Sequence, residues 1–156
     1  MTMTMTMATP DVGVIENGTH VYPVRVYFED TDSGGIVYYA NYLRYAERAR
    51  TEMLRCIGYL HAKMMSADGL MFAVRRCEVD YMKPAYLDDA LEIYSGNIEV
   101  EAASLWIEQI IRRGGDEIVR LHVRLACVGD AGKPIRLPSE LRDVFLPLLA
   151  IKNSKQ

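Results

Sequence analysis

The chain has 156 residues, half of them hydrophobic and a quarter charged, with a formal net charge of −3. No Lys/Arg run exceeds two residues, so the concentrated positive charge that non-specific nucleic-acid binding requires is absent. No apolar run approaches the ~18 residues of a bilayer-spanning helix, and the N-terminus lacks the basic start and apolar core of a secretory signal.

The start, Met1 to Met7, reads MTMTMTM, and the stretch to Gly18 has little periodicity. Residues 1–19 are therefore read as a flexible N-terminal segment. Residues 20–150, roughly 130 of them, suffice for one domain with a sizeable core but not for two. Val21 to Phe28 (VYPVRVYF) is β-branched and aromatic, the pattern of a strand, with Pro23 placing its beginning at an edge or outside the ladder. A turn-rich stretch follows, EDTDSGG from Glu29 to Gly35.

From Asn41 the period changes. Tyr42, Tyr45, Ala46, Ala49 and Met53 fall on one stripe of a helix, and charged residues fill the other faces. Asn41 is read as its N-cap and Gly58 as its C-terminal left-handed residue. A short second helix is read at His61 to Ala67. Strands are then expected at Leu70–Tyr81, Leu91–Glu101, Ser104–Arg113 and Glu117–Val128, separated by Gly-rich turns, with a short helix from Leu141 to Leu148 behind Ser139. One helix and about five strands joined by short connections imply an α+β fold, an antiparallel sheet wrapped around one long central helix. Cys56, Cys77 and Cys127 are odd in number and widely spaced, which argues against a disulfide framework or zinc site and points to a reducing, cytoplasmic setting. Cys77 and Cys127 are read as small buried hydrophobes.

Chemistry concentrates between Arg25 and Arg50. Asp30 and Asp32 sit in a glycine-bearing turn ahead of a helix whose first N–H groups are unpaired and carry partial positive charge. Taken alone, such a pair also serves as ordinary turn-bonding aspartates. Other D-x-D chemistries fit poorly. An EF-hand loop starting at Asp30 would need Glu where Asn41 stands, and an aspartyl-phosphate phosphatase would need a parallel βα scaffold. No G-x-S-x-G or H-E-x-x-H occurs.

Arg25, Val26, Thr31, Asp32, Gly35, Ile36, Val37, Tyr39, Tyr42, Ala49 and Arg50 resemble the active-site signature of the 4-hydroxybenzoyl-CoA thioesterase family. The strings PVRVY, EDTD and ERARTEMLR, and Pro84-Ala85 through Ile93, are most similar to its bacterial branch associated with the Tol-Pal system. The resemblance runs from about Tyr22 to Val128. It implies a hotdog fold and a homodimer or homotetramer with active sites at the dimer interface. It also implies hydrolysis of acyl-CoA thioesters without a cofactor or metal. Asp32 would be the catalytic nucleophile or general base, and the backbone N–H at Tyr39 would bind the thioester oxygen. Gly35, Val37, Tyr38 and Tyr42 are the expected substrate-binding positions.

The alternative is a non-catalytic or weakly catalytic partner of acyl thioesters or of acyl carrier protein. Two departures stand out. Many relatives carry His at the Tyr39 position, so only the main-chain role transfers. Some relatives carry a basic pair before a Ser to hold CoA phosphates, where this chain has Ala102-Ala103-Ser104. Arg75, Arg76, Arg112, Arg113, Arg120 and Arg124 are the remaining candidates for that contact.

Overall fold

The structure is a computed structural model and describes residues 7–59 and 69–150. The helix read at His61 to Ala67 lies outside the described residues. A six-stranded antiparallel sheet runs in the order β1-β2-β4-β5-β6-β3. Its strands are β1 (Val14–Glu16), β2 (Thr19–Arg25), β3 (Met71–Tyr81), β4 (Ala90–Val100), β5 (Ser104–Arg113) and β6 (Asp116–Val128). The sixth strand, one more than the sequence reading counts, is β1. Its three residues are exposed, so it extends the sheet's rim and adds nothing to the core.

Helix α1 (Asn41–Cys56) lies in the concave face of the sheet. Its expected stripe, Tyr42, Tyr45, Ala46, Ala49 and Met53, is buried throughout. The inward residues of the sheet alternate as a strand requires: Leu91 and Ile93 on β4, Leu105, Ile107 and Ile111 on β5, Val119, Leu121 and Val123 on β6. All belong to one hydrophobic cluster with α1. Ala46 and Ala49 let the backbones approach closely enough for Gln109 Nε2 of β5 to donate to the Ala46 carbonyl at 2.9 Å. The helix ends in a Schellman motif, with Tyr59 N–H on Leu54 O at 2.8 Å, Gly58 N–H on Arg55 O at 3.1 Å and Gly58 at φ +87°. Behind the sheet's end, α2 (Ser139–Val144) and a 3₁₀ turn (Leu146–Leu148) bury Leu141, Phe145 and Leu148.

Three readings need correction. The first strand ends at Arg25, and Phe28–Asp30 forms a 3₁₀ turn instead of continuing it. Pro23 sits within β2, opposite Glu92 of β4, where the far side of β2 is open because β1 pairs only as far as Val21. Cys77 has the inward phase of a buried residue but is exposed, because β3 is the sheet's last strand and α1 does not cover it. Asn41 is the first helical residue and Ala40 the N-cap, a shift that frees the Asn41 side chain for another bond. No described helix is long and apolar enough to cross a membrane.

Candidate active site

The two aspartates of the EDTD turn face opposite ways. Asp30 is buried, and its Oδ2 accepts the Tyr27 N–H at 2.8 Å. Asp32 is exposed, and its Oδ1 accepts the Gly34 N–H at 2.8 Å. Its backbone closes a tight turn, Asp32 N–H on Ile36 O at 2.8 Å and Gly35 N–H on Asp32 O at 3.1 Å. The glycines here have distinct reasons. Gly35 takes φ +80°, which L residues adopt only with strain. A Cβ on Gly34 would sit 3.2 Å from Asp32 Oδ1 and crowd the carboxylate.

The chain then pairs Thr31 with Val37 and Ile36 with Tyr86, and turns into α1. In that turn Val37 N–H donates to Ala85 O, Tyr38 N–H to Asp30 O and Asn41 N–H to Tyr38 O. The N–H groups of Tyr39 and Ala40 donate to no protein acceptor among the described residues. They stand at the positive end of a sixteen-residue helix.

Of the sequence-expected residues, Val37, Tyr39 and Tyr42 line one cavity of about 260 Å³ beside this turn. Tyr38 does not line it, although its ring leans on Tyr39 at 4.8 Å. Tyr42 is a strut as well as a wall: its hydroxyl accepts the Ala85 N–H at 3.0 Å, and burial raises its pKa. The sequence reading missed the far wall, where Tyr81, Lys83 and Pro84 come from the end of β3 and the loop after it. The rings of Tyr39 and Tyr42 meet Tyr81 at 6.2 and 5.8 Å. Only the pairing of β3 with β6 brings Tyr81 there, and no local pattern signals it.

A second missed feature lies along α1. Arg50, off the buried stripe of the helix, turns inward, and its Nη1 donates to Gln109 Oε1 at 3.0 Å. Gln109 Nε2 in turn donates to Ser95 Oγ at 2.9 Å. Burial lowers the Arg50 pKa. Arg50 and Glu47 also line two adjoining hollows, of about 240 and 290 Å³, between α1 and the uncovered strand β3.

Among the six arginines considered for phosphate, Arg75 and Arg124 share a cavity of about 300 Å³ with Ala102, Ala103 and Ser104. Arg112, Arg113 and Arg120 are engaged with Glu117 or Asp89, Arg76 with Glu78, and Arg124 itself with Glu101 at 3.4 Å. Among the described residues no cluster of three or more His, Cys, Asp or Glu side chains has metal-holding geometry.

Residues 26–145 match the sequence profile of the thioesterase-like superfamily. The chain is 40% identical over 134 residues to an acyl-CoA thioesterase, YbgC, of Haemophilus influenzae, covering 85% of this chain and 97% of that protein. It is 40% identical over 122 residues to the acyl-CoA thioester hydrolase YbgC of Escherichia coli O6:H1, covering 77% and 90%. The crystal structure of a probable thioesterase from Bartonella henselae superposes with a TM-score of 0.74 at 37% identity, covering 77% of this chain and 99% of that one.

Proposed function

The chain belongs to the thioesterase-like superfamily and is an acyl-CoA thioester hydrolase, and we propose that Asp32 is the carboxylate that carries its chemistry. One observation supports this above the others. A single short loop carries an exposed carboxylate and, at its exit, the N–H groups of Tyr39 and Ala40, which have no protein acceptor among the described residues.

The thioester oxygen accepts from these N–H groups, which polarises the carbonyl. As charge builds on that oxygen, each fixed donor stabilises it by about 3 kcal/mol, helped by the helix dipole. Asp32 then acts in one of two ways. It takes a proton from a water that attacks the carbonyl carbon, and returns that proton to the departing CoA sulfur as the C–S bond breaks. Alternatively its oxygen attacks directly, and water hydrolyses the resulting anhydride. The products are the free acid and CoA either way. The acyl group occupies the hollow walled by Val37, Tyr39, Tyr42 and Tyr81, while the CoA phosphates remain near solvent beside Arg75 and Arg124. A binding-only role leaves the carboxylate and the N–H pair without a task.

The working unit is a C2 homodimer, or a tetramer built from it. Support comes from β3, an eleven-residue strand with one edge unpaired among the described residues and with Met71, Val74 and Tyr81 exposed. A bare edge of that length favours pairing with another chain. Antiparallel pairing of β3 with its symmetry mate would also carry the hollows along α1 of one copy towards the Asp32 turn of the other.

The direct test is thiol release from a panel of acyl-CoAs of different chain length and head group, with and without EDTA. Turnover unaffected by EDTA supports the carboxylate mechanism, and strict dependence on a divalent metal sinks it.

A further inference from the structure

An exposed carboxylate whose one side-chain bond among the described residues runs from one oxygen to a neighbouring glycine is poorly anchored by its own contacts. What aims it lies in the buried half of the loop. The Asp30 carbonyl oxygen accepts two donors, Asn41 Nδ2 at 2.7 Å and the Tyr38 N–H at 3.0 Å. Asp30 and Asn41 are 9% and 8% exposed, so this junction is shielded from water. The Asp30 carboxylate points inward to the Tyr27 N–H, and the buried Tyr45 hydroxyl faces it without a hydrogen bond of standard geometry. Burial, and then the neighbouring Asp30, raise the Tyr45 pKa above its usual range, so the phenol stays protonated there.

The consequence is geometric. Asn41 begins α1, Asp30 lies two residues before Asp32, and one bond between them clamps the loop's entry to its exit. The carboxylate hangs from one side of that clamp and the Tyr39 and Ala40 N–H groups from the other.

We infer that Asn41, through its bond to the Asp30 main-chain carbonyl, is a positioning residue that sets the separation between the Asp32 carboxylate and the helix-start N–H pair. The inference rests on the reading of the site given above. Neither residue touches the substrate. Their bond acts because a transition state gains only when both partners reach it at once, and drift of about 1 Å can cost on the order of 100-fold in rate. Contacts to the acyl group and to CoA do not pass through the clamp.

The test compares Asn41→Ala, Asn41→Asp, Asp30→Asn and Asp32→Asn in kcat, KM, thermal midpoint and oligomeric state, assayed well below each midpoint. Asn41→Ala is expected to lower kcat by about 10- to 100-fold with KM within about threefold. Asn41→Asp keeps the size but presents no donor at neutral pH, so it should fall with Asn41→Ala; it also serves if the alanine variant does not fold. Asp30→Asn keeps an oxygen for Tyr27 N–H and leaves the carbonyl unchanged, so its kcat should stay within about threefold. A lowered thermal midpoint with kcat within twofold for both Asn41 variants would show a purely structural tie and overturn the inference. An equal rise in KM, with kcat held, would overturn it too. If Asp32→Asn itself turns over normally, the reading of the site has failed and the clamp fails with it.

Discussion

The loop from Asp30 to Asn41 and the strand β3 are both largely exposed, yet they differ in how they satisfy their own backbone. Asp32, Gly35, Tyr38 and Asn41 donate their N–H groups to the loop's own carbonyls and Val37 donates to Ala85 O, while the Tyr39 and Ala40 N–H groups have no protein acceptor among the described residues. Among the described residues strand β3 bonds on one side only, to β6, and its other edge and the side chains of Val74 and Cys77 are left uncovered. An unpaired donor costs little where water or a substrate reaches it, so two such groups at the start of a helix suit the binding of a carbonyl oxygen. A whole unpaired edge instead suits another chain. Incomplete bonding thus marks both regions, and its extent is what sets the proposed site for a small molecule apart from the proposed site for a subunit.

The largest expected effect falls on the loop. Asp32→Asn removes the proposed base or nucleophile. It should lower turnover at least ~100-fold while circular dichroism and oligomeric state remain those of the parent. Near-normal turnover in steady-state assays would end the proposed mechanism.

The strand is next. Val74 is 54% exposed in the single chain, so Val74→Asp should leave the folded monomer intact. At a paired edge it would bury like charges near each other, so light scattering should report dissociation, with activity falling about tenfold or more alongside. A variant that remains assembled and active would show that β3 is not the interface.

A smaller effect concerns the CoA end. With Ala102 and Ala103 in place of a basic pair, acyl-pantetheine should lose no more than about tenfold in kcat/KM against acyl-CoA, most of it in KM, and Arg75→Ala should narrow that gap. Charge-assisted phosphate contacts contribute ~1.5–3 kcal/mol each when well formed. A several-hundredfold loss with the truncated thioester would therefore mean firm phosphate recognition.

The smallest effect lies at the other end of the sheet. His20 of β2 is fully buried, its Nε2 lies 2.8 Å from Val12 O, and its Nδ1 has no hydrogen-bond partner among the described residues. Burial lowers its pKa below the ordinary 6.5, so the folded state prefers the neutral ring. The unfolded chain then binds the proton more readily, and stability present above about pH 6.5 is lost progressively as the pH falls below it. His20→Phe should flatten the decline of the thermal midpoint between about pH 7 and pH 5. An unchanged slope would assign that decline to other groups.

Much of this molecule was legible locally. The helical stripe from Tyr42 to Met53, the Gly58 terminator and the alternation of β6 all express periodicities of backbone geometry that neighbours in sequence enforce. The EDTD turn with Gly34 and Gly35 was legible for the same reason, since the conformations it needs belong to those residues. Legibility failed where a side chain's fate depends on a distant strand. Cys77 carries the inward phase of a core residue, but position at the sheet's rim leaves it bare. Arg50 carries the pattern of a surface charge, but Gln109 on β5 draws it inward.

The sequence by itself determined the order of elements, the face each buries, the strand-turn-helix setting of Asp32 and the likeness to thioesterases, because short-range sterics and hydrophobic period govern those. Only the tertiary structure decided that Asp30 turns inward while Asp32 turns out, that Tyr81 closes the hollow beside Tyr39, and that Asn41 clamps the loop instead of capping the helix. Those outcomes depend on which backbone groups are left unpaired once the sheet has curled around α1, a sum over contacts that no stretch of neighbouring residues contains.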